Sequence, residues 1–170
     1  VANQLPVFRF LLEERGLPVN NSSLFKIVAD GSLAILQYVA QKQPIETGHS
    51  ILVNTALHEG HMDVAKFLCE LSGDRFARFV DDTLAMAVNV DSSEMVRYCI
   101  QHGARAPEYL SRIAVRAEAV EVLDLLFTHD NPIDWDAVGM TAKTSAAVDA
   151  WYCQTYAKYL QKRYQQLYKK

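Results

Sequence analysis

The chain has 170 residues, half of them apolar, and a formal net charge of -3, so it can bury a core as one domain or a short array but lacks the basic excess of a general nucleic-acid binder. No apolar run approaches the roughly 18 residues that span a bilayer, and the opening VANQLP lacks the charged-then-apolar layout of a secretory leader. Seven glycines and five prolines among many Ala, Leu and Val favour helices over a turn-rich β design.

In chain order, PVFRFLLE (6–13) predicts a helix, and RGLPVN (15–20) breaks it. SLFKIVADGS (23–32) is a short apolar helix running into a Gly turn, followed by a second helix at AILQYVAQ (34–41) and the breaker KQPIE (42–46). The same order returns in ILVNTALHEGH (51–61) with DVAKFLCE (63–70), and in TLAMAVNVDS (83–92) with EMVRYCIQ (94–101) and HGARAP (102–107). EVLDLLFT (121–128) is closed by HDNPID (129–134), and AVDAWYCQ (147–154) ends the series. The first aliphatic residues of these second helices are Val7, Ile35, Val64, Met95, Val122 and Val148, spaced by 26 to 31 residues. Such a period marks a solenoid, in which no unit buries its apolar face alone. Within each unit, Gly supplies left-handed backbone at the turn and Ser or Asp caps the next helix.

From residue 144 to 170 there is neither Gly nor Pro, so one long helix is expected, carrying Val148, Trp151, Tyr152, Tyr156, Tyr159, Leu160, Tyr164, Leu167 and Tyr168. From Trp151 onward it holds five bases (Lys158, Lys162, Arg163, Lys169, Lys170) and no acid, against 12 bases and 20 acids before it. It reads as a cap over the last unit. Tyr164, Tyr168 and Lys169 form a secondary partner surface where it protrudes.

The stretch EGHMDVAKFL (59–68) resembles the ankyrin repeat, as do VFRFLLEERGLPVN (7–20) and TLAMAVNVDSSEMVRYCIQHGA (83–104). The Thr-Pro-Leu-His turn of that family is missing: the equivalents read ILVN, TLAM and SLFK. The resemblance implies an all-α, ankyrin-like solenoid of about six helix-turn-helix units over residues 1–143, with short or absent β-hairpin fingers and the cap at 144–170. It also implies that a partner protein meets the turns and the exposed ends of the first helices: Asp30, His58 with Glu59, Asn89 with Asp91, Arg116 with Glu118, and Lys143. This ridge starts acidic and ends basic, so its partner should show the opposite gradient.

His58, Glu59 and His61 fall short of a zinc H-E-x-x-H, because the histidines are three apart and Gly60 interrupts the helix between them. His61 is expected to cap or brace the second helix of its unit. Asp81 and Asp82 suit the first turn of a helix. Cys69, Cys99 and Cys153 form no C-x-x-C pair and are expected as buried, reduced thiols, which places the chain in a reducing cytoplasm, or a host cytosol if it is a microbial effector. With no phosphate loop and no nucleophile motif, the expectation is a non-enzymatic protein-interaction domain, a monomer, with no cofactor, metal, small-molecule substrate, nucleic acid or membrane span. The alternative is the targeting portion of a larger enzyme or effector, since Val rather than Met stands first and is compatible with a fragment.

Overall fold

The computed structural model describes residues 4–14, 16, 19–45 and 49–168, and among these every regular element is a helix. Two compact units divide the chain, Val1–Met86 and Ala87–Lys170. The first contains α1 (Gln4–Glu13), α2 (Asn21–Ala29), α3 (Leu33–Lys42), α4 (His49–His58), α5 (Met62–Ser72), a 3₁₀ turn (Gly73–Arg78) and most of α6 (Val80–Asn89). Here α2 pairs with α3 and α4 with α5, while α2 also packs on α4, α3 on α5 and α1 on α3. First helices therefore lie beside first helices, and second beside second.

The other unit contains the end of α6, then α7 (Ser93–Gln101), α8 (Glu108–Arg116), α9 (Val120–Thr128), α10 (Trp135–Ala142) and α11 (Ala146–Tyr168). The scheme repeats: α8 pairs with α9 and α10 with α11, while α8 packs on α10, α7 on α9 and α9 on α11. The apolar stripes seen in the sequence are what these pairs bury. Leu36, Leu52, Leu57 and Leu68 close the first core, and Met95, Leu110, Leu123 and Leu126 the second; each such side chain contributes roughly 1.5–3 kcal/mol relative to exposure.

One backbone turn joins first to second helix four times. Gly31, Gly60, Asp91 and Glu118 all have left-handed backbone, with φ of 66, 79, 52 and 54°. Their N–H groups donate to Val28, Leu57, Val88 and Val115 carbonyls, and the next residues, Ser32, His61, Ser92 and Ala119, donate to Ile27, Ala56, Ala87 and Ala114. These are the paired bonds of a Schellman motif, which satisfies carbonyls a helix end would leave open. The fifth turn differs: Thr144 and Ser145 both donate to Thr141 and no left-handed residue intervenes. Side-chain capping is partial. Asn20, Ser92 and Asp134 accept from backbone N–H groups three residues on, whereas Ser32 and His61 make no side-chain cap.

The longest interval, from Val64 to Met95, is explained by the 3₁₀ turn. No proline stands there; Phe76 is buried, meets Phe79 edge-on at 5.3 Å and anchors the added residues. Asp81 and Asp82 do lie in the first turn of α6. Cys69 and Cys99 are buried, but Cys153 is exposed, its Sγ 3.7 Å from Asp149 Oδ1: the repeat position of Cys69 does not carry over, because among the described residues nothing covers that side of α11. Of the sequence-predicted breakers, Arg15, Leu17, Pro18 and Glu46 lie outside the described residues.

A small polar cluster ties α1 to α3. Tyr38 donates to the Glu13 carboxylate, Lys42 Nζ lies 3.1 Å from Glu13 Oε1, and Arg9 sits 5.1 Å from the Tyr38 ring centre. The Tyr38 hydroxyl, then Lys42, hold the Glu13 carboxyl below its ordinary range. A depressed carboxylate supports the folded state at neutral pH and loses that support as pH falls through its folded value. Acidification below the ordinary carboxylate range is thus expected to release α1 before the cores open. Amide exchange of residues 7–13 followed from pH 6 to pH 3 checks this, and Glu13→Gln should remove the pH dependence.

Candidate interaction surface

All eight turn residues singled out in the sequence are exposed: Asp30, His58, Glu59, Asn89, Asp91, Arg116, Glu118 and Lys143. Within the first unit, Asp30 is the C-cap of α2, and His58 Nδ1 lies 3.2 Å from Glu59 Oε1 with side chains 73% and 48% exposed. Neither histidine nor glutamate is held by packing. The two turns are neighbours, since His61 Nε2–H donates to the Ala29 carbonyl at 2.9 Å. His61 therefore braces the preceding unit's turn and not the helix it begins, which corrects the sequence expectation. Its ring occupies the space above Gly31, where a Cβ would stand 2.4 Å from Nδ1.

The second unit has its own turn-to-turn bond. Ser145 Oγ donates to Glu118 Oε2 at 2.5 Å, across 27 residues. Glu118 is thus exposed but engaged, a bond not legible from residue order because Ser145 belongs to a turn of another type. Asn89 and Arg116 end α6 and α8, Asp91 stands at the left-handed position, and Lys143 is the C-cap of α10. At the opposite end of this unit the connecting loops are sewn by Asn131 Oδ1, which accepts from Ala106 N–H at 2.8 Å, and by Ser111 Oγ, which accepts from Asp134 N–H at 2.9 Å. Arg112 Nε lies 2.9 Å from Asp134 Oδ2.

The long C-terminal helix is present as expected, and it encloses a feature the sequence did not reveal. Trp135 stacks on Trp151 (5.9 Å, 7°), lies 4.6 Å from Tyr159 and meets Phe127 edge-on at 5.8 Å. Beside this cluster is a hollow of about 550 Å³ walled by Phe127, Ile133, Trp135 and Tyr159 and rimmed by ionic side chains. On that rim Lys162 pairs with Asp130, and Arg163 Nη1 donates to Tyr159 Oη at 3.1 Å. Burial, then the neighbouring Tyr156, raises the Tyr152 phenol above its ordinary value. Tyr164 is exposed. The side chain of Tyr168 and all of Lys169 and Lys170 lie outside the described residues.

One arrangement has the outline of a nucleophile and base. Ser72 Oγ is 2.7 Å from His49 Nδ1, yet the two residues are 3% and 6% exposed. The His49 Nε2–H donates to the Ile45 carbonyl at 2.5 Å, and Ser72 Oγ also lies 2.7 Å from the Leu68 carbonyl. With every polar atom engaged inside the core, the pair fastens α4 to α5 and offers no substrate an approach. Among the described residues no three His, Cys, Asp or Glu side chains gather as a metal site, and no helix is long and apolar enough to cross a membrane. No family model, curated protein or solved structure matches this chain.

Proposed function

We propose that the chain is a non-enzymatic interaction domain, a divergent ankyrin-like array whose exposed turns and adjoining first-helix ends dock a partner protein in a reducing cytoplasm. The observation that carries this reading is the ordered Schellman frame that recurs after α2, α4, α6 and α8, at or beside which Asp30, His58, Glu59, Asn89, Asp91 and Arg116 are exposed. A frame already ordered before binding spends little conformational entropy on association. Three free thiols, two of them buried, suit the compartment. The charges run from acidic to basic along the chain, which favours a partner of the opposite polarity.

The test is affinity capture by the intact chain and by a variant with Asp30, His58, Glu59, Asn89 and Arg116 all changed to Ala. Glu118 is left in place because it holds Ser145. The variant should keep its helical circular dichroism and lose its captured protein by about tenfold or more, as expected when contacts are removed without disturbing the core. Equal capture by both would move the docking face elsewhere, first to the aromatic hollow beside α11.

A further inference from the structure

The hollow lined by the loop at 130–133 and the latter half of α11 leaves apolar surface open inside a concave wall. Its volume, about 550 Å³, falls within the roughly 300–1,000 Å³ of clefts that take small molecules. Phe127, Trp135 and Tyr159 wall it, and each is only half-buried. The Phe127 and Trp135 rings stand at 81° to one another. Two rings at that angle make a corner in which a flat ring meets one of them by its face and the other by its edge, both favourable arrangements.

The polar rim selects the class of ligand. Asp130 is already neutralised by Lys162. Arg163 spends one N–H on Tyr159 Oη at 3.1 Å and, among the described residues, meets no carboxylate, so most of its five donors stay open. Asn131 accepts from the Ala106 N–H through Oδ1, which leaves its own amide N–H groups unengaged. The Trp135 indole N–H likewise makes no hydrogen bond among the described residues. Against these donors stands one rim carboxylate without a cation, Glu108, exposed in the first turn of α8. The helix behind the rim adds bases only, since no acid follows Trp151. Tyr159 links the two halves of the site: its ring lies 4.6 Å from Trp135 and its hydroxyl holds Arg163. From this we infer that the hollow binds a small planar aromatic anion, its ring in the Phe127–Trp135 corner and its carboxylate or phosphate on Arg163. A guanidinium grips two oxygens of such a group by parallel N–H bonds. An organic cation would instead have to lie against both Arg163 and Lys162. The site shares no residue with the turn ridge and does not depend on it.

The probe is naphthoate, titrated into the 170-residue chain and followed by NMR at the two tryptophan indole N–H groups. Naphthamide serves as its uncharged copy and cyclohexanecarboxylate as its non-aromatic one. Trp151 donates its indole N–H to Asp124 and is 6% exposed, so its signal is the internal reference, and Trp135→Phe assigns the pair. Naphthoate should shift the Trp135 signal saturably and by more than that of Trp151. Both control compounds should bind about tenfold or more weakly, as the loss of a charged hydrogen bond or of ring stacking requires. Arg163→Gln should weaken naphthoate to the same degree and leave naphthamide unchanged; the side chain is exposed, so circular dichroism should not move. Glu108→Gln should tighten naphthoate severalfold by removing the opposing charge. Absence of saturable binding, naphthamide binding as tightly as naphthoate, or equal binding by Arg163→Gln would overturn the inference. So would weaker binding by Glu108→Gln, which would show that the rim recognises positive charge.

Discussion

Gly31→Ala is expected to destabilise the chain by about 3 kcal/mol, against about 1 kcal/mol for Gly60→Ala, although both glycines occupy the same turn position. At Gly60 (φ +79) a Cβ meets nothing within 4 Å, so the cost is that of left-handed backbone for an L-residue, roughly 1–2 kcal/mol, partly offset by the smaller unfolded-state entropy of Ala. At Gly31 (φ +66) the same Cβ lies 2.4, 2.5 and 2.7 Å from Nδ1, Cε1 and Cγ of His61. The ring must leave, and with it the 2.9 Å bond to the Ala29 carbonyl, about 1 kcal/mol by itself, together with its packing. Urea unfolding of the two variants gives the comparison. In a His61→Ala background the Gly31→Ala cost should fall to about that of Gly60→Ala, a coupling on the order of 1–2 kcal/mol. Equal costs in the parent would show that the ring moves aside freely and that the brace contributes nothing.

Trp135→Ala should cost about 3–5 kcal/mol, and Trp135→Phe much less. Trp135 is in ring contact with Phe127 of α9 and with Trp151, Tyr152, Tyr156 and Tyr159 of α11, at 4.6 to 6.4 Å. Each aromatic pair contributes roughly 0.5–1.5 kcal/mol beyond the area it buries. Removing the ring leaves α11 held by Val148, Trp151 and Thr155 at its beginning, so amide exchange across 155–165 should quicken by more than across 146–151. Phenylalanine restores an apolar ring and should return most of that protection. If Trp135→Ala unfolds at the parent's midpoint, the cluster is a surface ornament and α11 is fixed by its first turns alone.

Much of the helical layout was legible because it rests on period. Aliphatic residues at regular stations in the second helices fixed which segments pair, and Gly31 and Gly60 announced left-handed turns. The same turn at Asp91 and Glu118 was harder to read: Asp tolerates positive φ less freely than Gly, and Glu118 carries no signal beyond its position in the repeat. The 3₁₀ turn was invisible for a related reason: GDRFARF contains no proline, and its anchor is one buried ring, Phe76. Cys153 was misplaced because burial in an array depends on having a neighbour on both sides, which sequence equivalence to Cys69 does not guarantee. The role of His61 was misread because a residue opening a helix is expected to cap it, and the bond it makes reaches back 32 residues. The exposure of the turn residues was legible, but not the engagement of Glu118 or the hollow beside Trp135, both of which depend on contacts between one helical pair and the next.

The ties that fasten one helical pair to the next join residues only 23 to 32 apart: Asp134 with Ser111, Gln43 with Val19, Ala106 with Asn131, Ser145 with Glu118, and His61 with Ala29. Within each unit these closures join no distant segments, and each is one modest loop whose entropic cost grows only with the logarithm of its length. Ties of such short span keep contact order low within each unit, and low contact order belongs to quick folders.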